Sequence, residues 1–266
     1  MDRIHQKAQQ EQMKEFARQI LDKLDELPAG SSIKKEELLK ILDGMIQSEE
    51  QVSAKKEPWD FSREKSHAIF VCGDGVLIRP ITPEDERFYC GVRMQYSLMY
   101  QAAYNTAKDN KKSILLDEIF APQVFYCIIC DAENNHPIGY LGIKDTSAEI
   151  WEIAIELDGK YTHQGFGFKS LRLYLNEIQR RTGVGEFRAV VEVDNIPSQR
   201  CFEKLGAKLV GLCDSFVLRT EDEKKRFEER NLHLISANMI TLAERIGVES
   251  RKLLSHFLDY RIKCPL

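Results

Sequence analysis

The chain has 266 residues, of which 43% are hydrophobic and 30% charged, and a formal net charge of −4. A chain of this length can bury a substantial core, and its composition is far from the apolar-poor, highly charged mixture that keeps chains unfolded. A weakly acidic chain lacks the basic field that draws proteins onto phosphate backbones or anionic lipid, which excludes nucleic acid and membrane surfaces as general partners. No run approaches the roughly 20 apolar residues of a bilayer span, and MDRIHQKAQQEQMKEFARQ has no apolar signal-peptide segment, so a cytoplasmic protein is expected.

Seven cysteines, at 72, 90, 127, 130, 201, 213 and 264, are odd in number and scattered, unlike a disulfide framework. Cys127 and Cys130 form a CxxC inside the apolar run VFYCIIC with no second ligand pair, so they read as core residues and no metal is expected.

In chain order, residues 1–50 place apolar side chains at helical spacing: Phe16, Ile20, Leu24 and Leu27, then Leu38, Leu42, Met45 and Ile46 after PAGSS. The pattern predicts a helical hairpin. Residues 51–65 begin polar and proline-terminated and read as a linker. AIFVC and VLIRPI around GDG predict a strand pair. Residues 84–118 return to helical spacing, with Tyr89, Arg93, Tyr96 and Tyr100 on one stripe. VFYCIICD and PIGYLGIKD flank AENNH as a second hairpin. EIWEIAIELD predicts a strand, 167–181 a long helix, FRAVVEV a strand, 196–205 a short helix and KLVGLCDSFVL a further strand. A crossover helix between strands makes at least one pair parallel, giving a mixed α/β sheet over 66–220. Residues 221–266, with Phe227, Leu234, Ile240, Leu253, Phe257 and Leu258 among many charges, predict a C-terminal helical extension.

The chemistry concentrates in EIWEIAIELDGKYTHQGFGFKSLRLYLNEI. Alternation sets Trp151, Ile153, Ile155 and Leu157 on one face of a strand and Glu152, Ala154 and Glu156 on the other. The strand runs into HQGFGF, where Gly165 and Gly167 open a helix whose buried stripe is Phe168, Leu171, Leu175 and Ile178. A glycine-rich turn into a helix presents unpaired N–H groups and the positive dipole end, which suits a pyrophosphate. The third glycine of a dinucleotide fingerprint and the GKS/T of a P-loop are both missing. Thirty residues later VEVDNIPSQRCFEKLGAKLVG carries a strand ending at Asn195, then Ser198 and a short helix closed by Gly206.

These two segments together resemble the GNAT superfamily of N-acetyltransferases, whose loop reads Q/R-x-x-G-x-G/A and whose later motif reads N-x-x-S/A-x-x-x-Y-E-K-x-G. Gln164, Gly165 and Gly167 match the first, and Asn195, Ser198, Glu203, Lys204 and Gly206 the second. EIAIEL and VLIRPITPEDERFY are more loosely similar to the branch that acetylates ribosomal-protein N-termini. The chain departs from the pattern at Lys169, where the family has glycine or alanine, and at Phe202, where it often has a tyrosine.

The resemblance implies a GNAT-like mixed, mostly antiparallel sheet with helices on both faces, acetyl-coenzyme A as cosubstrate, and direct transfer to a primary amine of a protein or small molecule. It implies a cofactor site of Ile155, Leu157, Gln164, Gly165, Phe166, Gly167, Phe168, Lys169, Asn195, Ser198 and Phe202. A carboxylate must accept the proton of the attacking amine. Glu152 and Glu156 are the candidates, but four strand residues separate them by about 13 Å, so one at most touches the amine. Glu152 is preferred for its place in the family-like strand. His163 reads as an exposed loop histidine. Phe202 carries no hydroxyl to act as an acid, so an inactive acyl-coenzyme A-binding or scaffold module is the alternative. The flanking amphipathic helices offer a surface for a homodimer.

Overall fold

Turn-forming residues between short apolar runs bring the first strands together as hairpins. The computed structural model describes residues 59–96, 119–214, 218 and 220–266. Helix α1 (Ser62–Lys65) leads to β1 (Val71–Gly73) and β2 (Val76–Pro80), joined at Asp74 and Gly75 with φ of 54° and 78°. Helix α2 (Glu86–Tyr96) follows, then β3 (Phe125–Asp131), β4 (Pro137–Ile143), β5 (Trp151–Leu157), α3 (Phe166–Thr182), β6 (Glu186–Val191), α4 (Ile196–Lys204) and β7 (Lys208–Asp214). The chain continues with α5 (Glu221–Arg230), α6 (Ala237–Ile246) and β8 (His256–Lys263).

The strands form one sheet in the order β1-β2-β3-β4-β5-β6-β8-β7, antiparallel throughout except between β5 and β6, which α3 connects. This is the mixed, mostly antiparallel sheet that the motif resemblance implies. Alternate residues of β3 enter two different apolar clusters: Phe125, Cys127 and Ile129 face α3, and Tyr126, Ile128 and Cys130 face α2. The sheet is thus covered on both sides, which explains why VFYCIICD is an unbroken apolar run. The CxxC pair points to opposite faces, and all seven cysteines are free thiols. Helix α3 lays Leu171, Tyr174, Leu175 and Ile178 on the sheet, with the Tyr174 hydroxyl donating to Phe125 O at 3.0 Å. Among the described residues no helix is long and apolar enough to cross a membrane.

Two expectations are corrected. Residues 256–263 were read as part of a helical extension, yet they form β8, inserted between β6 and β7. The reason is period 2: Leu258, Tyr260 and Ile262 are fully buried and alternate with Asp259 and Arg261, a pattern that neighbouring charges disguise. Within the stretch expected to be linker, Phe61 joins the core. Phe61 is buried and its ring stacks on Phe125 with centroids 4.1 Å apart. The predicted hairpin over 1–50 and the remainder of the linker lie outside the described residues, as does Tyr100.

The segment before β8 is tied down by buried charge. Glu228, 1% exposed, accepts from the Ser255 hydroxyl at 2.5 Å and faces Arg251 at 3.7 Å, while Lys224 joins Asp214 at the end of β7 at 2.5 Å. These contacts carry α5 against the start of β8. A chain shortened to end at residue 220 exposes one edge of β6 and one of β7 and removes four buried side chains of β8. It is expected to show no cooperative thermal transition by circular dichroism, whereas a melt like that of the full chain would show that β8 is dispensable.

Candidate functional site

Strands β5 and β6 start side by side and then part. Their pairing is limited to Trp151 with Phe187 and Glu152 with Arg188, although β5 runs on to Leu157 and β6 to Val191. On its other edge β5 stays paired with β4 as far as Gly139 with Leu157. Lys144 N–H donates to Glu152 O, and Asp158 N–H donates to Ile138 O, both at 2.9 Å, so the even-numbered residues of β5 direct their backbone groups to β4. By alternation Ile153, Ile155 and Leu157 direct theirs to the side that β6 has left. The result is a wedge-shaped opening; on its β5 wall the Ile153 N–H still belongs to the ladder with Arg188, and beyond it the Leu157 carbonyl accepts from the Tyr96 hydroxyl at 2.7 Å. Gln95 secures the same end by accepting from Gly159 N–H at 2.9 Å.

The wedge opens onto the amino end of α3. Gly165 caps that helix with φ of 82°, a left-handed conformation that glycine adopts without strain. Lys169 N–H is the first to bond inside the helix, to Gly165 O at 3.1 Å, which leaves the N–H groups of Phe166, Gly167 and Phe168 without an intrahelical partner. Gln164 braces the turn from below by donating from Nε2 to Lys160 O at 2.7 Å. Gly167 lies between Leu157 and α4: a Cβ there would sit 3.7 Å from Leu157 Cδ1 and 3.8 Å from Cys201 Sγ. The structure therefore brings Ile155, Leu157 and residues 164–169 together at one opening. His163 is exposed beside it, with φ of 61°.

Asn195 Oδ1 accepts from Ser198 N–H at 3.1 Å and caps α4. Phe202 is buried and stacks with Tyr260 of β8, ring centroids 6.2 Å apart, so its ring packs in the core. The adjacent Cys201 is the α4 side chain that meets the loop. Burial pushes its thiol up to about 11, which keeps it protonated at neutral pH.

The two carboxylates on β5 have distinct surroundings. Glu152 pairs with Lys144 Nζ at 2.5 Å and faces Arg188 at 3.8 Å. Glu156 stands directly across from Tyr140 on β4 and lies 3.8 Å from Arg93 Nη1. Its Oε2 is buried and has no protein partner among the described residues. Burial, the largest influence, pushes the Glu156 carboxyl above the usual range, and Glu192 adds to it; Tyr140, Arg93 and Lys144 pull the other way. Arg93 in turn donates to the Tyr140 hydroxyl at 3.2 Å, and the Tyr89 and Tyr140 rings lie 4.5 Å apart. Of the predicted stripe, Arg93 and Tyr96 reach β5, and Tyr89 is core. Tyr140 and Glu192 escaped sequence reasoning. Tyr140 is visible only through the β4–β5 register, and Glu192 only through the divergence of β6.

A mixed sheet opened between its parallel strands, with a helix amino end and a half-buried carboxylate at the opening, defines the acetyltransferase type of fold. Residues 76–208, half of the chain, match the family described as "Acetyltransferase (GNAT) domain", and the chain belongs to that family. It is similar in structure to a Vibrio cholerae protein described as a putative ribosomal-protein-serine acetyltransferase, at 13% identity and TM-score 0.46 over 73% of this chain and 97% of that one. Mycobacterium smegmatis RimJ in complex with CoA-disulfide gives 16% identity and TM-score 0.47 over 71% and 82% of the two chains. A mutant form of the Vibrio cholerae spermidine/spermine N-acetyltransferase SpeG gives 13% and 0.48 over 72% and 95%. No curated protein sequence matches the chain.

The loop geometry separates its two glycines. Gly165→Ala forces a Cβ into a left-handed cap and is expected to lower stability by about 1 kcal/mol. Gly167→Ala, which meets only ordinary contacts in a helical turn, is expected to keep or slightly raise the urea midpoint. An equal loss in both variants would contradict this reading of the loop.

Proposed function

We propose that the protein transfers an acetyl group from acetyl-coenzyme A to a primary amine by direct attack in a ternary complex, with Glu156 as the base. The observation that carries this reading is the parting of β5 from β6 over the amino end of α3, with Glu156 on the same strand. The opening fits an extended carrier: the edge of β5 offers the C=O of Ile153, both backbone groups of Ile155 and the N–H of Leu157, as a neighbouring strand would require. The three free amides of α3 suit a pyrophosphate, with Lys169 adding charge beside them. The absence of a side chain at Gly167 keeps those amides approachable. The carrier supplies the activated thioester.

The chain's own groups account for the rest. A neutral amine forms its new C–N bond at the thioester carbon as the C–S bond breaks, and the surplus proton passes to Glu156. Burial makes Glu156 a stronger base than an exposed glutamate, and its unpartnered Oε2 is the atom free to accept. Glu152 is engaged by Lys144 and Arg188 at the paired end of β5, where the strands leave no opening. The protonated Cys201 argues against a covalent acyl-cysteine route. Phe202 donates no proton, but a thiolate is a good leaving group and departs unassisted.

Glu156→Gln is expected to lower kcat by about 10²- to 10⁴-fold with acetyl-coenzyme A affinity retained. Because an ionised Glu156 is required and its carboxyl is raised, kcat/KM is expected to rise with pH through that raised value and to fall below it. Tyr140→Phe removes a neighbouring hydroxyl that favours the ionised form, so the limb moves to higher pH with the same amine. Thiol release over a panel of amines, with calorimetry for the donor, measures all three. A wild-type protein that binds no acetyl-coenzyme A would sink the proposal, and binding without turnover on every amine would favour the inactive acyl-coenzyme A-binding module.

A further inference from the structure

We propose that Lys204 and Arg172, set around the ring of Phe168, form the subsite for the 3′-phosphate of coenzyme A and make the enzyme selective for 3′-phosphorylated donors. This rests on the acetyl-coenzyme A reading above. With the acyl end between β5 and β6 and the pyrophosphate on the first turn of α3, the nucleotide end must leave past that turn. Phe166 and Phe168 mark its two sides.

On the Phe166 side Tyr161 packs edge-on with centroids 6.2 Å apart, and Lys169 Nζ lies 5.8 Å from the Phe166 ring. On the Phe168 side α4 forms the border, since Cys201 already meets the turn at Gly167. There Lys204 Nζ stands 4.5 Å and Arg172 Cζ 5.4 Å from the centre of one partly exposed ring. Arg172 shares its charge with Asp74 at 2.5 Å. Lys204 has no acidic partner among the described residues, and the adjacent Glu203 turns instead to Arg245 at 3.2 Å.

Two cations thus share one ring, and among the described residues the Lys204 ammonium has no acidic partner. The arrangement is matched by a phosphate monoester, which carries about −1.5 to −2 charges at neutral pH and takes charge-assisted hydrogen bonds from ammonium and guanidinium groups. Neutralisation by Asp74 makes Arg172 the weaker of the two, so Lys204 is the main determinant.

The test compares acetyl-coenzyme A with acetyl-3′-dephospho-coenzyme A, by calorimetry and by KM, on the full chain. The wild type is expected to bind the 3′-phosphorylated donor about tenfold more tightly. Lys204→Ala is expected to erase that preference, with the loss confined to the 3′-phosphorylated donor, and Arg172→Ala to reduce it partly. Lys169→Ala, on the opposite side, is expected to change the affinity for both donors by one common factor. The dephospho donor serves as the internal check on folding. A wild type that binds both donors equally, or a Lys204→Ala protein weakened equally toward both, overturns the subsite while leaving the acetyl-coenzyme A reading intact. A wild type that binds neither donor overturns both.

Discussion

The join between β5 and β6 is the constraint on which the rest of the molecule depends. Two residue pairs hold the halves of the sheet together, and both are reinforced away from the backbone. On the α3 face Trp151 and Phe187 belong to the main apolar cluster. On the other face Glu152 and Arg188 lie opposite one another in a chain of ion pairs that runs from Lys144 through Arg188 to Asp259 and Arg261. The strands are therefore pinned at one end by packing and by charge, and free at the other. A sheet without that pin would either zip closed, leaving no room between the strands, or separate altogether. Its asymmetry is what turns an ordinary crossover into an opening.

The same geometry distinguishes two glutamates that share a strand and a face. Glu152 sits at the pinned end, where cations on β4 and β6 are within reach. Glu156 sits where β6 has moved away, so it meets a tyrosine, one arginine and a buried environment instead. Isolated surface ion pairs contribute little, but a connected ladder on a half-buried sheet face holds its members in one arrangement. The division of labour follows: the ladder fixes the frame, and the residue left off it keeps an acceptor atom uncommitted.

Much of this was legible in the residues. The hairpins, the helix from Phe166 and the alternation of β5 follow from periodicity and turn chemistry, and two glycine- and asparagine-bearing segments in one chain carried the family resemblance. What escaped had a common physical cause: it depends on which strand lies beside which. The different surroundings of Glu152 and Glu156 depend on the β5–β6 register, and the place of Tyr140 on that of β4. β8 is disguised as helix because Phe257 and Leu258 sit among charges that also fit a helical stripe. Phe202 could be matched to a motif position by spacing, but its burial against Tyr260 required β8 to be in place. Motif spacing locates backbone features well, since Gly165 acts through its own dihedrals, and locates side-chain environments poorly, since those belong to neighbours far away in the chain.

The position of β8 also bears on how the protein assembles. β6 and β7 each use it as their only strand neighbour on one edge, so the pairings of Glu186 with Lys263 and Lys208 with Arg261 join residues widely separated in sequence. Contacts of that kind carry a loop-closure cost before they return any packing energy, and they slow folding. Until they form, β6 presents a bare edge able to pair with another chain, and α4 has no Tyr260 against which to seat Phe202. The β6 side of the opening thus matures late, after its β4–β5 wall can already stand.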